Sequence, residues 1–220
     1  MTQNNTQAEG EAASKAKAPA FSRRDVICTA AGTAALLAVG AVKFAPNQAL
    51  VRPPGAQDEV QLISACTRCQ KCLEACPKGV ISISHVEDGL LSARTPKLSF
   101  KSNWCNFCED VDGGPRCEAV CPTGAIAKVS SKQVNIGMAK LTKDWCLAYR
   151  GEGCRSCVDA CPYNALELDS SNTPHVIENK CNGCGACESA CISLTAGSLS
   201  GTWNSSSPTE RAITVKPLNS

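Results

Sequence analysis

The sequence predicts an α+β fold in which short helices and short antiparallel strands surround repeated cysteine loops. The 220 residues include 17 Cys but only four Phe, three Trp and two Tyr, so large aromatic side chains are too few to fill the interior. Sixteen of the cysteines fall into four groups of four, and a turn with a strand-like stretch follows three of these groups. A small repeated unit is therefore expected.

The first 45 residues have the features of an export signal. A polar stretch is followed by Ser22-Arg23-Arg24 and by an uncharged apolar run from Cys28 to Val42. A paired-arginine region before a short apolar segment is typical of twin-arginine signals, although an amphipathic helix that happens to carry two arginines is the alternative. The run is shorter than the ~18–20 apolar residues that span a membrane. No strict Ala-x-Ala cleavage site follows, so an uncleaved, membrane-associated N-terminal segment stays open.

The charge distribution argues against nucleic-acid binding. The net charge is +2, and the basic surplus lies before Pro46, which leaves the remaining chain neutral and without a long basic run. Nucleic-acid-binding proteins instead carry concentrated basic patches. We expect residues 46–64 to be a linker and residues 65–220 to form one domain that carries all four cysteine groups.

Each of the four groups contains four cysteines at ligand-like spacing. Groups one and four follow the pattern C-x2-C-x2-C-x3-C, whereas groups two and three each carry a longer insertion. The members are Cys66, Cys69, Cys72 and Cys76 in group one; Cys105, Cys108, Cys117 and Cys121 in group two; Cys146, Cys154, Cys157 and Cys161 in group three; and Cys181, Cys184, Cys187 and Cys191 in group four. In bacterial ferredoxins this spacing binds [4Fe-4S] clusters, and the fourth cysteine ligates the other cluster. All sixteen are therefore predicted ligands of four [4Fe-4S] clusters.

Other uses of so many cysteines fit the pattern less well. Disulfides are common in exported proteins, but C-x-x-C-x-x-C runs place neighbouring thiols too close in the chain for an unstrained framework. Structural zinc sites use pairs of C-x-x-C and not three thiols followed by x3-C-Pro. No C-x-x-C is followed by the histidine that covalent haem attachment requires. His85 and His175 lie between the groups, where ligation of a Rieske-type cluster is not expected.

A second repeat follows the first three groups. After the fourth cysteine come a proline, predicted to start a helix, and then a turn residue and a strand-like stretch. The prolines are Pro77, Pro122 and Pro162, and the turn residues are Gly79, Gly124 and Asn164. After group four the strand is expected only at Ala212–Val215, beyond a Ser- and Thr-rich insert at residues 196–208 that is predicted to be flexible.

Symmetry between the groups favours nested pairing, in which group one shares clusters with group four and group two with group three. The outer groups are regular and the inner ones carry insertions, and Trp104-Cys105 is echoed by Trp145-Cys146. The nested sets are Cys66, Cys69 and Cys72 with Cys191; Cys181, Cys184 and Cys187 with Cys76; Cys105, Cys108 and Cys117 with Cys161; and Cys146, Cys154 and Cys157 with Cys121. Consecutive pairing, of one with two and three with four, is the alternative.

The stretch Val51-Arg52-Pro53-Pro54-Gly55-Ala56 stands before the first group. With the order of the four groups, it resembles the NapG/MauM family of ferredoxin-type proteins, from about Arg23 to Leu194 and again from Ala212 to Leu218. The spacings alone also fit iron-sulfur subunits of the DMSO-reductase type, and tandem ferredoxin-like dicluster modules are the expected fold. The missing proline after Cys191 and the insert at residues 196–208 depart from the family pattern.

The resemblance implies an electron carrier with four clusters and not an enzyme. It implies export by the twin-arginine route to the periplasm or the outer face of the cytoplasmic membrane. The implied partners are a membrane quinol-oxidising, NapH-like iron-sulfur protein and a periplasmic reductase, such as nitrate reductase, or its electron-accepting subunit, or else an amine-oxidation system. Alternatives are an electron-transfer subunit of a DMSO-reductase-type molybdoenzyme complex and a metal-binding assembly factor. No catalytic constellation or phosphate-binding loop accompanies the cysteines, which independently favours electron transfer.

Six basic residues lie close in sequence to the predicted ligands. They are Arg68, Lys71, Lys101, Arg116, Arg155 and Lys180. Because clusters ligated by four thiolates are negatively charged, these side chains could offset the cluster charge or steer a partner. Ordinary solvated surface charges are the alternative interpretation.

Overall fold

The computed structural model describes residues 22–44, 49–111, 113–129, 134–195 and 209–218. The chain divides into two units, Met1–Lys43 and Phe44–Ser220. In the first unit, the predicted apolar segment belongs to helix α1, Arg23–Phe44. No helix of the described residues is long and apolar enough to cross a bilayer. The polar start of the predicted signal and the insert at residues 196–208 lie outside the described residues.

The second unit is built from short elements. Its helices are α2 (Glu59–Ala65), α3 (Lys71–Glu74), α4 (Arg116–Ala119), α5 (Ser156–Asp159) and α6 (Ala186–Ala190). Its strands are β1 (Ile81–Ile83), β2 (Pro96–Leu98), β3 (Met138–Leu141), β4 (Leu166–Leu168), β5 (Pro174–Val176) and β6 (Ile213–Lys216). The strands form three antiparallel pairs, β1-β2, β3-β6 and β4-β5. This arrangement confirms the predicted mixture of small helices and short antiparallel strands.

The elements form two similar modules. Module one comprises residues 49–111 and 113–129, and module two comprises residues 134–195 and 209–218. In module one the pair β1-β2 lies between cysteine groups one and two, and in module two the pair β4-β5 lies between groups three and four. Strand β3 precedes group three and pairs with β6, which follows group four, so this pair closes module two around its own cysteines.

In module one, the stretch from Val51 to Ala56 closes the module, as β3 does in module two. The Leu98 N–H donates to the Val51 carbonyl (2.8 Å), and the Ala127 N–H donates to the Gly55 carbonyl (2.8 Å). The stretch therefore joins β2 to the segment after group two. Pro53 and Pro54 lack backbone donors, which suits a segment at the edge of a sheet.

This stretch was expected to belong to a linker, but it is part of the folded body. Arg52, Pro53, Pro54 and Ala56 are all buried. The physical reason is that their backbone and the Arg52 side chain make hydrogen bonds that only the folded module supplies.

Arg52 ties three parts of module one together. Its guanidinium donates from Nη1 to the Pro96 carbonyl (2.7 Å) and to Thr95 Oγ1 (3.0 Å), and from Nε to Glu59 Oε2 (2.8 Å). Nη2 also forms a salt bridge with Glu59 Oε1. The Arg52 side chain is 3% exposed. It therefore anchors the start of α2 to the residues that begin β2.

Replacing Arg52 with alanine is expected to destabilise the protein by about 2–4 kcal/mol, because a buried carbonyl and hydroxyl lose their donor and a cavity remains. For a chain of this size, such a loss lowers the Tm by about 5–10 °C. Arg155→Ala is the matched control, since Arg155 forms an exposed ion pair with Asp159, and such pairs contribute about 0–1 kcal/mol. Equal thermal shifts for the two variants would contradict the anchoring role of Arg52.

The turns after three cysteine groups adopt the predicted conformation. Gly79, Gly124 and Asn164 all have left-handed backbone angles, with φ of +60°, +67° and +48°. Strands β1 and β4 follow two of these turns, and β6 occupies the position predicted for the displaced fourth strand. The segment after group two is not a strand; its Ala127 bonds to Gly55 instead.

The prolines after the fourth cysteines do not start helices. The Gly79 N–H donates to the Cys76 carbonyl (3.1 Å), so Pro77 is the second residue of a tight turn. The fixed φ of proline is favourable at that position. The short helices lie earlier, within the cysteine groups themselves, and α3 ends at Glu74, before Cys76.

The two modules meet across a shared core. The Cys105 N–H donates to the Cys184 carbonyl (2.8 Å). Arg211 of module two donates from Nη1 to the carbonyls of Phe100 (2.9 Å) and Glu188 (2.7 Å). Residues of both modules, including the buried Phe107 and Val215, belong to one hydrophobic cluster. The modules are therefore joined by backbone bonds and packing close to the cysteine groups.

Candidate metal centres

The fold gathers the sixteen predicted ligands into four sets of four thiols. Set A is Cys66, Cys69, Cys72 and Cys121. Set B is Cys76, Cys105, Cys108 and Cys117. Set C is Cys161, Cys181, Cys184 and Cys187. Set D is Cys146, Cys154, Cys157 and Cys191. In each set, three thiols come from one group and the fourth is the last cysteine of the neighbouring group.

Three of these sets line cavities. These are sets A, B and D. In set C, Cys161 lies within electrostatic range of Cys184 and Cys187, which places the last cysteine of group three among the thiols of group four. Sets A, B and D therefore each surround a space that is lined largely by apolar side chains.

The nested pairing favoured by the sequence is not the arrangement that the fold adopts. The structure pairs group one with group two and group three with group four, which was the alternative. Helix α3 packs against α4, and α5 packs against α6. Each fourth cysteine lies one or two residues after one of these helices, so the packing of the helices brings it to the other group of its own module. The bonds from Gly55 to Ala127 and from β3 to β6 close each module separately.

Burial makes the thiolate form of several cysteines unfavourable in the bare protein. It raises the pKa of Cys105, Cys117 and Cys157 to about 12, and that of Cys72 and Cys184 to about 11. Negative charge on neighbouring thiols raises these pKa values further. Buried thiolates therefore need a positively charged partner, which the iron of a cluster core held by these cysteines would supply.

Backbone N–H groups point at several of the sulfurs. The Ala165 N–H donates to Cys161 Sγ (3.2 Å), and the Arg68 N–H donates to Cys66 Sγ (3.4 Å). At Cys121, partial burial opposes ionisation, but N–H groups that include those of Ile126 and Thr123 lower the pKa of the thiol. Such bonds stabilise thiolate ligands and tune the reduction potential of iron-sulfur clusters.

The regular cysteine loops turn through left-handed residues at matching positions. In group one these residues are Arg68 and Gln70, with φ of +58° and +64°, and in group four they are Gly183 and Gly185, with φ of +76° and +84°. The glycines of group four also make room for other parts of the chain. A Cβ on Gly185 would lie 2.1 Å from the Phe100 ring. The bare backbone at this loop therefore lets module one pack directly on set C.

The donor chemistry fits a multinuclear iron-sulfur group. Among the described residues, no three Cys, His, Asp or Glu side chains converge on the position of a single metal ion. A lone zinc ion needs four ligands at about 2.3 Å for sulfur, whereas the thiols of sets A, B and D line cavities. All four donors in every set are soft thiols, which suit a [4Fe-4S] cluster ligated at its corners.

The four sets are neighbours in the order A, B, C, D. Sets A and B belong to module one and sets C and D to module two, so the contact between B and C crosses the module boundary. Cys72 lies within electrostatic range of Cys117, the Cys105 N–H donates to the Cys184 carbonyl (2.8 Å), and Cys157 lies within electrostatic range of Cys187. This order offers a continuous path between the two modules.

Two aromatic residues that sequence analysis did not single out lie at the contact between sets B and C. The rings of Phe107 and Tyr163 meet edge to face, with centroids 6.5 Å apart. Tyr163 donates its hydroxyl hydrogen to Glu109 Oε1 (3.1 Å), and burial raises its pKa, so the hydroxyl stays protonated. Phe107 is 1% exposed. The sequence signal was their position, inside Cys105-x2-Cys108 and directly after Cys161-Pro162.

Comparison with known proteins matches the same two regions. A family model described as a 4Fe-4S dicluster domain matches residues 65–125 and 152–194. The chain is 35% identical over 187 residues to the ferredoxin-type protein NapG of Escherichia coli (strain K12), covering 77% of this chain and 79% of the relative. It is 31% identical over 190 residues to the methylamine utilization ferredoxin-type protein MauM of Paracoccus denitrificans, covering 77% and 83%. The first matched region contains groups one and two. The second contains all of group four and three cysteines of group three, leaving out Cys146.

Proposed function

Because the chain belongs to the NapG and MauM family of ferredoxin-type proteins, we propose that it is an electron carrier with one [4Fe-4S] cluster in each of sets A to D. The observation that carries the proposal is the fold's arrangement of sixteen cysteines into four successive sets of four. Each cluster is a one-electron centre with no substrate chemistry of its own, so the protein is proposed to be a carrier and not an enzyme.

The residues around the sets have distinct parts in this function. The sixteen thiols hold the clusters, and the backbone N–H groups at Cys66, Cys121 and Cys161 set their potentials. The Phe107 and Tyr163 rings exclude water between sets B and C, where the path crosses from one module to the other. Since successive sets are neighbours, an electron that enters at one end of the series is proposed to leave at the other.

The proposed setting is the outer side of the cytoplasmic membrane. Arg23 and Arg24 at the start of α1, followed by the uncharged run, support export by the twin-arginine route. That route carries folded proteins, so the clusters can be inserted in the reducing cytoplasm before export. A membrane quinol-oxidising iron-sulfur protein is proposed as the donor, and a periplasmic reductase of the nitrate-reductase type as the acceptor.

Metal and redox analysis of the whole protein tests the proposal. Anaerobically purified protein is expected to be brown and to contain about 16 iron atoms and as many acid-labile sulfides per chain, as four [4Fe-4S] clusters require. Redox-titrated EPR is expected to resolve four one-electron centres. A colourless protein that contains zinc would contradict the proposal and support a metal-binding assembly role.

A further inference from the structure

We propose that set A is where this protein exchanges electrons with an acidic redox protein, which docks on a basic surface formed by Arg68, Lys71 and Arg94 beside Cys69. This inference rests on the proposed function, because it assigns a partner to one end of the proposed series of clusters. It adds the place of contact and the charge of the partner.

Set A is the least covered of the four sets. None of its thiols is buried, and Cys69 is exposed. Each of the other sets contains two buried thiols, which are Cys105 and Cys117 in set B, Cys184 and Cys187 in set C, and Cys146 and Cys157 in set D. Electron transfer between proteins requires two redox centres to approach closely, so the least covered end of the series is the natural point of exchange.

Three basic side chains surround this exposed end. Arg68, Lys71 and Arg94 line the same cavity as the thiols of set A. All three are exposed, and none of them takes part in a salt bridge with another described residue. The one acidic side chain on α3 is the exposed Glu74. The surface beside Cys69 therefore has an excess of positive charge.

The opposite end of the series is different. Near set D, Arg155 pairs with Asp159 (2.9 Å), and Arg150 pairs with Glu152 (3.9 Å). Of the basic residues singled out in the sequence, Lys180 near set C is also paired, with Glu167 (3.4 Å). The two arginines near set D are therefore paired with acidic side chains, whereas the three basic side chains around set A are available to attract a partner.

Apolar residues adjoin the basic surface. Arg68 donates from Nε to the Ala93 carbonyl (3.0 Å) and from Nη2 to the Leu91 carbonyl (3.4 Å), which holds the loop before β2 against the cysteine loop. In this loop, Leu90 and Leu91 are 61% and 70% exposed. Exposed leucines next to charged side chains are typical of protein interfaces, in which an apolar centre is surrounded by a polar rim.

The charge pattern favours a protein over a membrane as the occupant. Peripheral binding to anionic lipid commonly uses clusters of about 4–8 Lys and Arg, and this surface has three. The cations lie around a predicted redox centre, where an acidic redox protein would gain both attraction and a short path for the electron.

The test compares two charge-reversed double variants of the cluster-loaded, full-length protein. Lys71→Glu with Arg94→Glu alters the surface at set A, whereas Lys140→Glu with Lys143→Glu makes the same net charge change near set D. Arg68 is kept because it holds the loop.

The probe is a strongly acidic, reduced [2Fe-2S] ferredoxin, mixed with each protein by anaerobic stopped flow at several salt concentrations. We expect the set A variant to be reduced at least tenfold more slowly at low salt and the control within about twofold of wild type, with the difference shrinking as salt screens the charges.

A second electron donor of opposite charge separates impaired docking from a changed cluster potential. The methyl viologen radical cation is expected to reduce the set A variant as fast as wild type or faster, since the reversed charges attract it. Equal slowing with both donors would indicate a changed cluster potential and overturn the proposal. So would equal slowing of both variants, a larger effect in the control, or an unchanged rate in the set A variant.

Two further results would separate failure of the docking proposal from failure of the proposed function. If wild type sediments with phosphatidylserine vesicles and the set A variant does not, while their ferredoxin rates agree, the surface binds membranes and the proposal fails. A wild-type protein that neither donor reduces would overturn the proposed function itself.

Discussion

Replacing Cys191 and Cys146 together with alanine is expected to remove one cluster, whereas replacing Cys191 and Cys66 together is expected to remove two. Cys191 and Cys146 both belong to set D, while Cys66 belongs to set A. Replacing Cys191 and Cys146 therefore removes two thiolates from the same cluster, whereas replacing Cys191 and Cys66 removes one thiolate from each of two clusters. The expected iron contents are about 12 and about 8 atoms per chain, from about 16 in the wild type. Iron and sulfide analysis of anaerobic preparations measures this directly.

The nested pairing would produce the reverse result, with the lower iron content in the variant that combines Cys191 and Cys146. Cys28→Ala is the control, because Cys28 is an exposed residue of α1 outside the four groups. Its iron content is expected to match that of the wild type. Redox-titrated EPR of the double variants should lose one and two centres respectively, and equal losses in the two variants would contradict the consecutive arrangement.

Gly55→Ala is expected to destabilise module one by about 3–5 kcal/mol, in the range of the most damaging single substitutions. Gly55 has a φ of +85°, and a Cβ built on it would lie 2.1 Å from the Ala127 carbonyl oxygen. That oxygen belongs to the backbone, so a change of rotamer gives no relief. The segment after group two would have to move away, and it carries residues that donate hydrogen bonds to Cys121. We expect the Tm to fall by about 10 °C or more.

The matched control is Gly79→Ala. Gly79 also has a left-handed backbone, with a φ of +60°, but nothing lies within 4 Å of its Cβ position. Only the conformational cost of about 1–2 kcal/mol is therefore expected there. Calorimetric scans at one scan rate compare the two variants, because unfolding with loss of clusters is irreversible. Adding Ala127→Gly to the Gly55→Ala variant should give no rescue, since the carbonyl oxygen remains; a rescue would show that the clash is with a side chain.

The parts of the site that depend on local chemistry could be predicted from the sequence. Cysteine spacing singled out the sixteen thiols that the fold collects, because three of the four thiols in each set lie close together in the chain. The left-handed turns at Gly79, Gly124 and Asn164 were predictable for the same reason, since their conformation is set by a few neighbouring residues.

The pairing of the groups depends on distant contacts and could not be predicted this way. The insertions in groups two and three, which favoured a nested arrangement, only lengthen loops. The bond from Ala127 to Gly55 and the pairing of β3 with β6 decide which groups share a module. The stretch from Val51 to Ala56 has two prolines and no alternating pattern, so nothing local indicated that it packs against strands.

Consecutive pairing also has a consequence for the order of biogenesis. Every thiol of sets A and B lies at or before Cys121, little more than halfway along the chain. With the proposed clusters in sets A and B, the first half could therefore receive them while the ribosome is still making the second, as N-terminal domains fold first during translation. Had Cys66 depended on Cys191 for a shared centre, the first group would have stayed incomplete until nearly the whole chain had been translated.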